Sequence, residues 1–126
     1  MQTFSKNERL CSKILIDRLF ESGKSFHHSP VRISWLEIAE SPAPIRVVIS
    51  VPKRSFKKAV DRNKLKRQIR EIYRKEKQNL YDVLGEKKIV LILIYTAKAK
   101  LEFKELEQKT IEALNRLGKT LVTELK

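Results

Sequence analysis

The seven-residue apolar run Ile89 to Tyr95, the β-branched run Arg46 to Val51, and two long segments with helically spaced apolar residues predict an α+β fold, a small mixed sheet with helices packed on it. The chain has 126 residues, 41% of them hydrophobic, with only 3 Gly and 4 Pro. That is the size and composition of one globular core, so residues 1–126 are expected to form a single domain with short N- and C-terminal tails.

The elements follow in order. Ser12, then Ile14, Leu15, Ile16, Leu19 and Phe20, then Ser22-Gly23, predicts a short amphipathic helix with a serine cap and a glycine stop. Val31 to Ile38 sets Val31, Ile33 and Trp35 against Arg32 and Ser34, the alternation of a strand. Ser41-Pro42-Ala43-Pro44 is a turn, and Arg46 to Val51 a second strand, expected to pair antiparallel with the first. Ala59 to Leu84 carries Leu65, Ile69, Ile72, Tyr73 and Leu80 at helical spacing and meets a stop at Gly85. Ile89 to Thr96 is apolar on both faces and belongs in the middle of a sheet. Phe103, Leu106, Ala113, Leu114, Leu117 and Leu121 mark a C-terminal amphipathic helix.

The single cysteine, Cys11, can form neither an internal disulfide nor a cysteine-rich zinc cage, and reads as a small packing residue in a reducing compartment. No apolar run approaches the roughly 18–20 residues of a membrane span. The N-terminus, MQTFSKNERLCSK, lacks the apolar stretch of a secretory signal. A cytoplasmic protein is expected.

Formal net charge is +13, and it is concentrated. Lys53 to Lys77 holds twelve basic and three acidic side chains, a net +9 in one fifth of the chain. Such density is self-repulsive until a polyanion neutralises it, so nucleic acid is the expected partner rather than a membrane. On the helix, Arg62, Lys66, Arg70 and Arg74 recur every fourth residue, with Asn63 and Arg67 in the adjacent row, and Leu65, Ile69, Ile72 and Tyr73 form the opposing stripe. Arginine forks and lysine point charges bind phosphate without reading bases, which points to recognition of nucleic-acid shape.

Nothing in the chain assembles a protein-borne active site. His27 and His28 are adjacent on an extended segment and point to opposite faces, and Asp17, Asp61 and Asp82 are widely separated. With glycine only at 23, 85 and 118, there is no phosphate-cradling loop. A helix-turn-helix DNA regulator would need a second short helix before the basic one, and none is predicted. DNA is therefore not expected as a partner.

The run Arg62-Asn63-Lys64-Leu65-Lys66-Arg67-Gln68-Ile69-Arg70, preceded by Ile49-Ser50-Val51-Pro52-Lys53-Arg54 and Ala59-Val60, closely resembles the signature of the bacterial ribonuclease P protein subunit, R-N-R-x-K-R-x-x-R after a strand that ends in a basic pair. Lys64 replaces the second arginine of that pattern, keeping charge and losing the fork. The stretch from Leu10 through Phe20 to Gly23 resembles the family's first helix, and the likeness extends to about Leu121.

The resemblance implies three helices around a four-stranded sheet, similar to a domain of a ribosomal protein, with a left-handed β-α-β crossover that contains the signature helix. The fourth strand would fall near Ser25 to His28. It implies a protein subunit of an endoribonuclease that removes the 5′ leader of precursor transfer RNA, with catalysis by the RNA subunit and its bound Mg²⁺. Lys53, Arg54, Lys58, Arg62, Asn63, Lys64, Lys66, Arg67, Arg70 and Arg74 would then face RNA. Phe20 and Ile16 would line a cleft for the leader, with Ile16 where the family commonly has an aromatic. By spacing alone, Phe20 fits either a core position or a stacking platform. Charge and fold class also admit a non-enzymatic, ribosome-associated RNA binder.

Overall fold

A computed structural model describes residues 13–39, 41, 43–53, 56–98 and 101–124. Cys11, the Ser12 cap, Pro42 and Arg54 lie outside the described residues. The elements run α1 (Lys13–Ser22), β1 (Lys24–His28), β2 (Val31–Ile38), β3 (Ile45–Ser50), α2 (Ala59–Leu84), β4 (Lys88–Tyr95) and α3 (Phe103–Glu124). The four strands form one sheet in the order β1-β2-β4-β3.

β4 is central because its sequence tolerates burial on both faces. Ile89, Leu91, Leu93 and Tyr95 point into the main core beneath α2 and α3, while Val90 and Ile92 join Leu19 of α1 and Ile38 on the other face. β4 pairs antiparallel with β2, from Val31 opposite Tyr95 to Ile38 opposite Lys88, and parallel with β3, from Ile45 opposite Ile89 to Ser50 opposite Ile94.

The expected antiparallel pairing of β2 with β3 is therefore not found. A strand buried on both faces must satisfy its backbone groups on both edges, and β4 does so by entering between the two. The chain reaches that slot through α2, which makes β3-α2-β4 a parallel crossover. β1, which carries one large apolar residue, Phe26, pairs antiparallel with β2 at the sheet edge.

The two glycine stops are physical requirements. Gly23 follows α1 with its N–H donating to the Leu19 carbonyl at 2.8 Å, and a Cβ there would run into that carbonyl and come within 2.9 Å of Leu19 Cδ1. Gly85 closes α2 at φ 60°, ψ −115°, a backbone state that side chains disfavour, and its N–H donates to the Tyr81 carbonyl.

Candidate nucleic-acid interface

α2 is 26 residues long, about 39 Å at 1.5 Å per residue. One stripe, Leu65, Ile69, Ile72, Tyr73, Leu80 and Leu84, is buried. Asn63, Lys64 and Arg67 are exposed on the opposite side, as are Lys53, Lys57 and Lys58 leading into the helix. The row Arg62, Lys66, Arg70, Arg74 is half-buried rather than opposite the core. Four residues advance a helix by 400°, so such a row drifts about 40° per step and begins here at the core's flank.

These cations do different work. Arg62 Nη1 folds back to the carbonyls of Phe56 and Lys57, at 2.8 and 2.9 Å, and pins the loop against the helix it caps. Lys58, the N-cap, makes no side-chain cap hydrogen bond. The loop is also held by Phe56, whose ring packs on Tyr95 with centroids 5.7 Å apart, and burial pushes the Tyr95 phenol above its ordinary range. Arg74 donates to both Glu71 oxygens, at 3.0 and 2.6 Å, so part of its charge is met within the chain. These hydrogen bonds hold the Glu71 carboxyl below its usual value and raise Arg74. Lys77, part of the dense basic segment, lies in the buried stripe, its ammonium 5.9 Å from the centre of the Tyr81 ring.

The sheet face toward α1 is only partly covered. Leu19 seals one half with Ile38, Val90 and Ile92, and Ile16 packs half-buried against this cluster. The other half is a groove of about 300 Å³ lined by Leu19, Phe20, Gly23, Ser25, Arg32, Ser34, Ile94 and Thr96. Phe20 stands at its edge, 62% exposed, which removes the core alternative for this ring. Ile16 is not among the lining residues. Sequence reasoning missed Ser25, Arg32, Ser34 and Thr96. The signal for two of them lay in β2, whose polar positions, Arg32 and Ser34, face away from buried Val31, Ile33 and Trp35.

The two histidines separate as expected. His27 Nε2 lies 2.8 Å from Thr96 Oγ1 on the groove side, and His28 Nε2 lies 3.2 Å from Glu112 Oε1 of α3 on the other. Among the described residues, no group of three or more His, Cys, Asp or Glu side chains could hold a metal ion, and no helix is long and apolar enough to cross a membrane.

Fold and surface together define an α+β domain with a cationic helix and a polar, aromatic-edged groove, the equipment of an RNA-binding protein. The Ribonuclease P family model matches residues 4–118, and the chain belongs to that family. It is 38% identical over 92 residues to the ribonuclease P protein component of Porphyromonas gingivalis, covering 72% of this chain and 67% of the relative. To the component of Chlorobium phaeobacteroides it is 36% identical over 91 residues, covering 68% and 62%. The solved RNase P protein from Thermotoga maritima superposes with a TM-score of 0.69 at 27% identity, over 86% of this chain and 96% of that one. The Staphylococcus aureus RNase P protein gives 0.71 at 25% identity, over 89% and 96%. The chain is thus a protein subunit of an endoribonuclease that works in partnership with an RNA, which sets aside the ribosome-associated reading.

Proposed function

We propose that the subunit uses two separate surfaces within the holoenzyme. The exposed cations of α2 and its approach, Lys53, Lys58, Lys64 and Arg67, with Asn63 beside them, dock on phosphates of the catalytic RNA. Arg54, Lys66, Arg70 and Arg74 extend that surface, and Arg62 shapes it by holding the loop. The groove beside α1 receives the single-stranded 5′ leader of precursor transfer RNA, one base stacking on Phe20, with Ile16 supporting that wall from behind. Bond cleavage belongs to the RNA subunit and the Mg²⁺ bound to it, and the setting is the cytoplasm.

The observation that carries this reading is Phe20, a large aromatic left 62% exposed above a groove lined with hydroxyls and an arginine. Base stacking on an aromatic contributes about 1–3 kcal/mol, roughly 5- to 150-fold in affinity. In the reconstituted holoenzyme, Phe20→Ala weakens binding of leader-bearing precursor by a factor in that range and leaves binding of leaderless transfer RNA unchanged. An equal effect on both substrates, or none on either, would refute the leader assignment.

A further inference from the structure

Val60, the second residue of α2, is the most exposed large apolar side chain among the described residues, at 75%. Ala59 before it is exposed as well. Neither belongs to the core, and the helix gains nothing from a branched side chain here, since a β-branched residue on an open helix face loses rotamer freedom that alanine would not. One exposed apolar residue is ordinary on a protein surface, so its surroundings decide what it can do.

Those surroundings are cationic. Asn63, Lys64 and Arg67 follow Val60 at the spacings that share one helix face, and all three are exposed. Lys64 stands about 6 Å further along the axis and Arg67 about 10 Å. Lys57 and Lys58, also exposed, lead into the helix on the other side of the spot. Arg62, the next cation in the sequence, is turned away to the Phe56 and Lys57 carbonyls. An apolar spot thus lies between two sets of cations, where a face that needed only charge or solvation would carry a polar residue or a better helix former.

An RNA backbone presents the complementary alternation. Its phosphates alternate with riboses whose C–H faces are apolar, and the wide, shallow minor groove of an RNA helix lays those sugars open. Valine has no ring on which a base could stack, so a ribose suits it better than an unstacked base. We propose that Val60 is a positioning residue of the RNA-facing surface, its methyl groups packing on a ribose of the catalytic RNA while Lys57 and Lys58 on one side, and Lys64 and Arg67 on the other, hold the flanking phosphates. The contact excludes water from a charged interface and fixes how closely α2 approaches the strand. The proposal rests on α2 docking on the catalytic RNA.

The test is filter binding of the full chain to the catalytic RNA between about 50 and 200 mM salt, for the parent, Val60→Ala and Arg67→Ala, with thermal melts alongside. Val60→Ala weakens binding about four- to fifteenfold, the loss of half to all of the burial of two methyl groups. The factor is the same at every salt concentration, because no charge is removed, so the plot of log affinity against log salt shifts down without changing slope. The variant melts no lower than the parent, since alanine is the better helix former. Affinity within twofold of the parent throughout, a changed slope, or a lower melting temperature would each overturn the proposal. Arg67→Ala separates the two levels: if it flattens the slope while Val60→Ala changes nothing, only the Val60 assignment fails, and if neither variant alters binding, the reading of α2 as the RNA-docking face fails with it.

Discussion

Arg67 offers the sharpest quantitative test of the α2 surface, because it is exposed, sits in the middle of the signature and has no hydrogen bond or ion pair among the described residues. Among the described residues, five exposed cations, Lys53, Lys57, Lys58, Lys64 and Arg67, stand along the first three turns of α2 and its approach. If each neutralises one phosphate, the slope of log affinity against log salt is about −3.5 to −4.5, at about 0.7–0.9 per contact. Arg67→Ala flattens that slope by about 0.7–0.9. Between about 50 and 200 mM salt, the variant should lose affinity roughly threefold less steeply than the parent. Stability should stay within about 0.5 kcal/mol, as for surface substitutions generally. Filter binding to the catalytic RNA across that salt range, with thermal melts alongside, measures both. Arg67→Lys keeps the slope while losing the fork's geometry. A slope for Arg67→Ala equal to the parent's would place Arg67 outside the interface, and a large fall in melting temperature would mean that its role is structural.

Arg62→Ala should behave differently, lowering stability by about 1–3 kcal/mol because it releases the Phe56 and Lys57 carbonyls, and weakening RNA binding at the same time. Thermal melts and filter binding on one preparation would show both losses; a melt identical to the parent's would mean that the loop does not need the contact. Gly23→Ala should destabilise by more than about 1 kcal/mol, since the added methyl meets the backbone carbonyl of Leu19, which cannot swing aside as a side chain could. An unchanged denaturant midpoint would contradict that geometry.

How much of this was legible in the sequence varied with how local the signal was. α2 was predicted from Ala59 to Leu84 and is found there, because its apolar spacing and the Gly85 stop that follows are both local signals. The central place of β4 followed from its lack of any polar face. The pairing of β2 and β3 did not follow, since which strand enters between two others is settled by where the long α2 crossover returns, a non-local matter. β1 gave little signal because Ser25 and His27, which share one of its faces, have no apolar surface to bury. The basic helix was legible as a charge pattern. Its division of labour was not: neither Arg62 turning to the loop, nor Arg74 to Glu71, nor Lys77 to the interior can be read from charge alone. Phe20 and Ile16, one turn apart on α1, looked alike by spacing, and packing separates them into an exposed ring and a half-buried side chain.

The central claim is that this chain binds and positions RNA while its RNA partner performs the cleavage. The most direct measurement is cleavage of precursor transfer RNA by the catalytic RNA across a magnesium series, with and without the protein, and by the protein alone. The account predicts no cleavage by the protein alone and a clear fall in the magnesium concentration the RNA needs when the protein is added. A magnesium dependence unchanged by the protein, or cleavage by the protein without RNA, would contradict it.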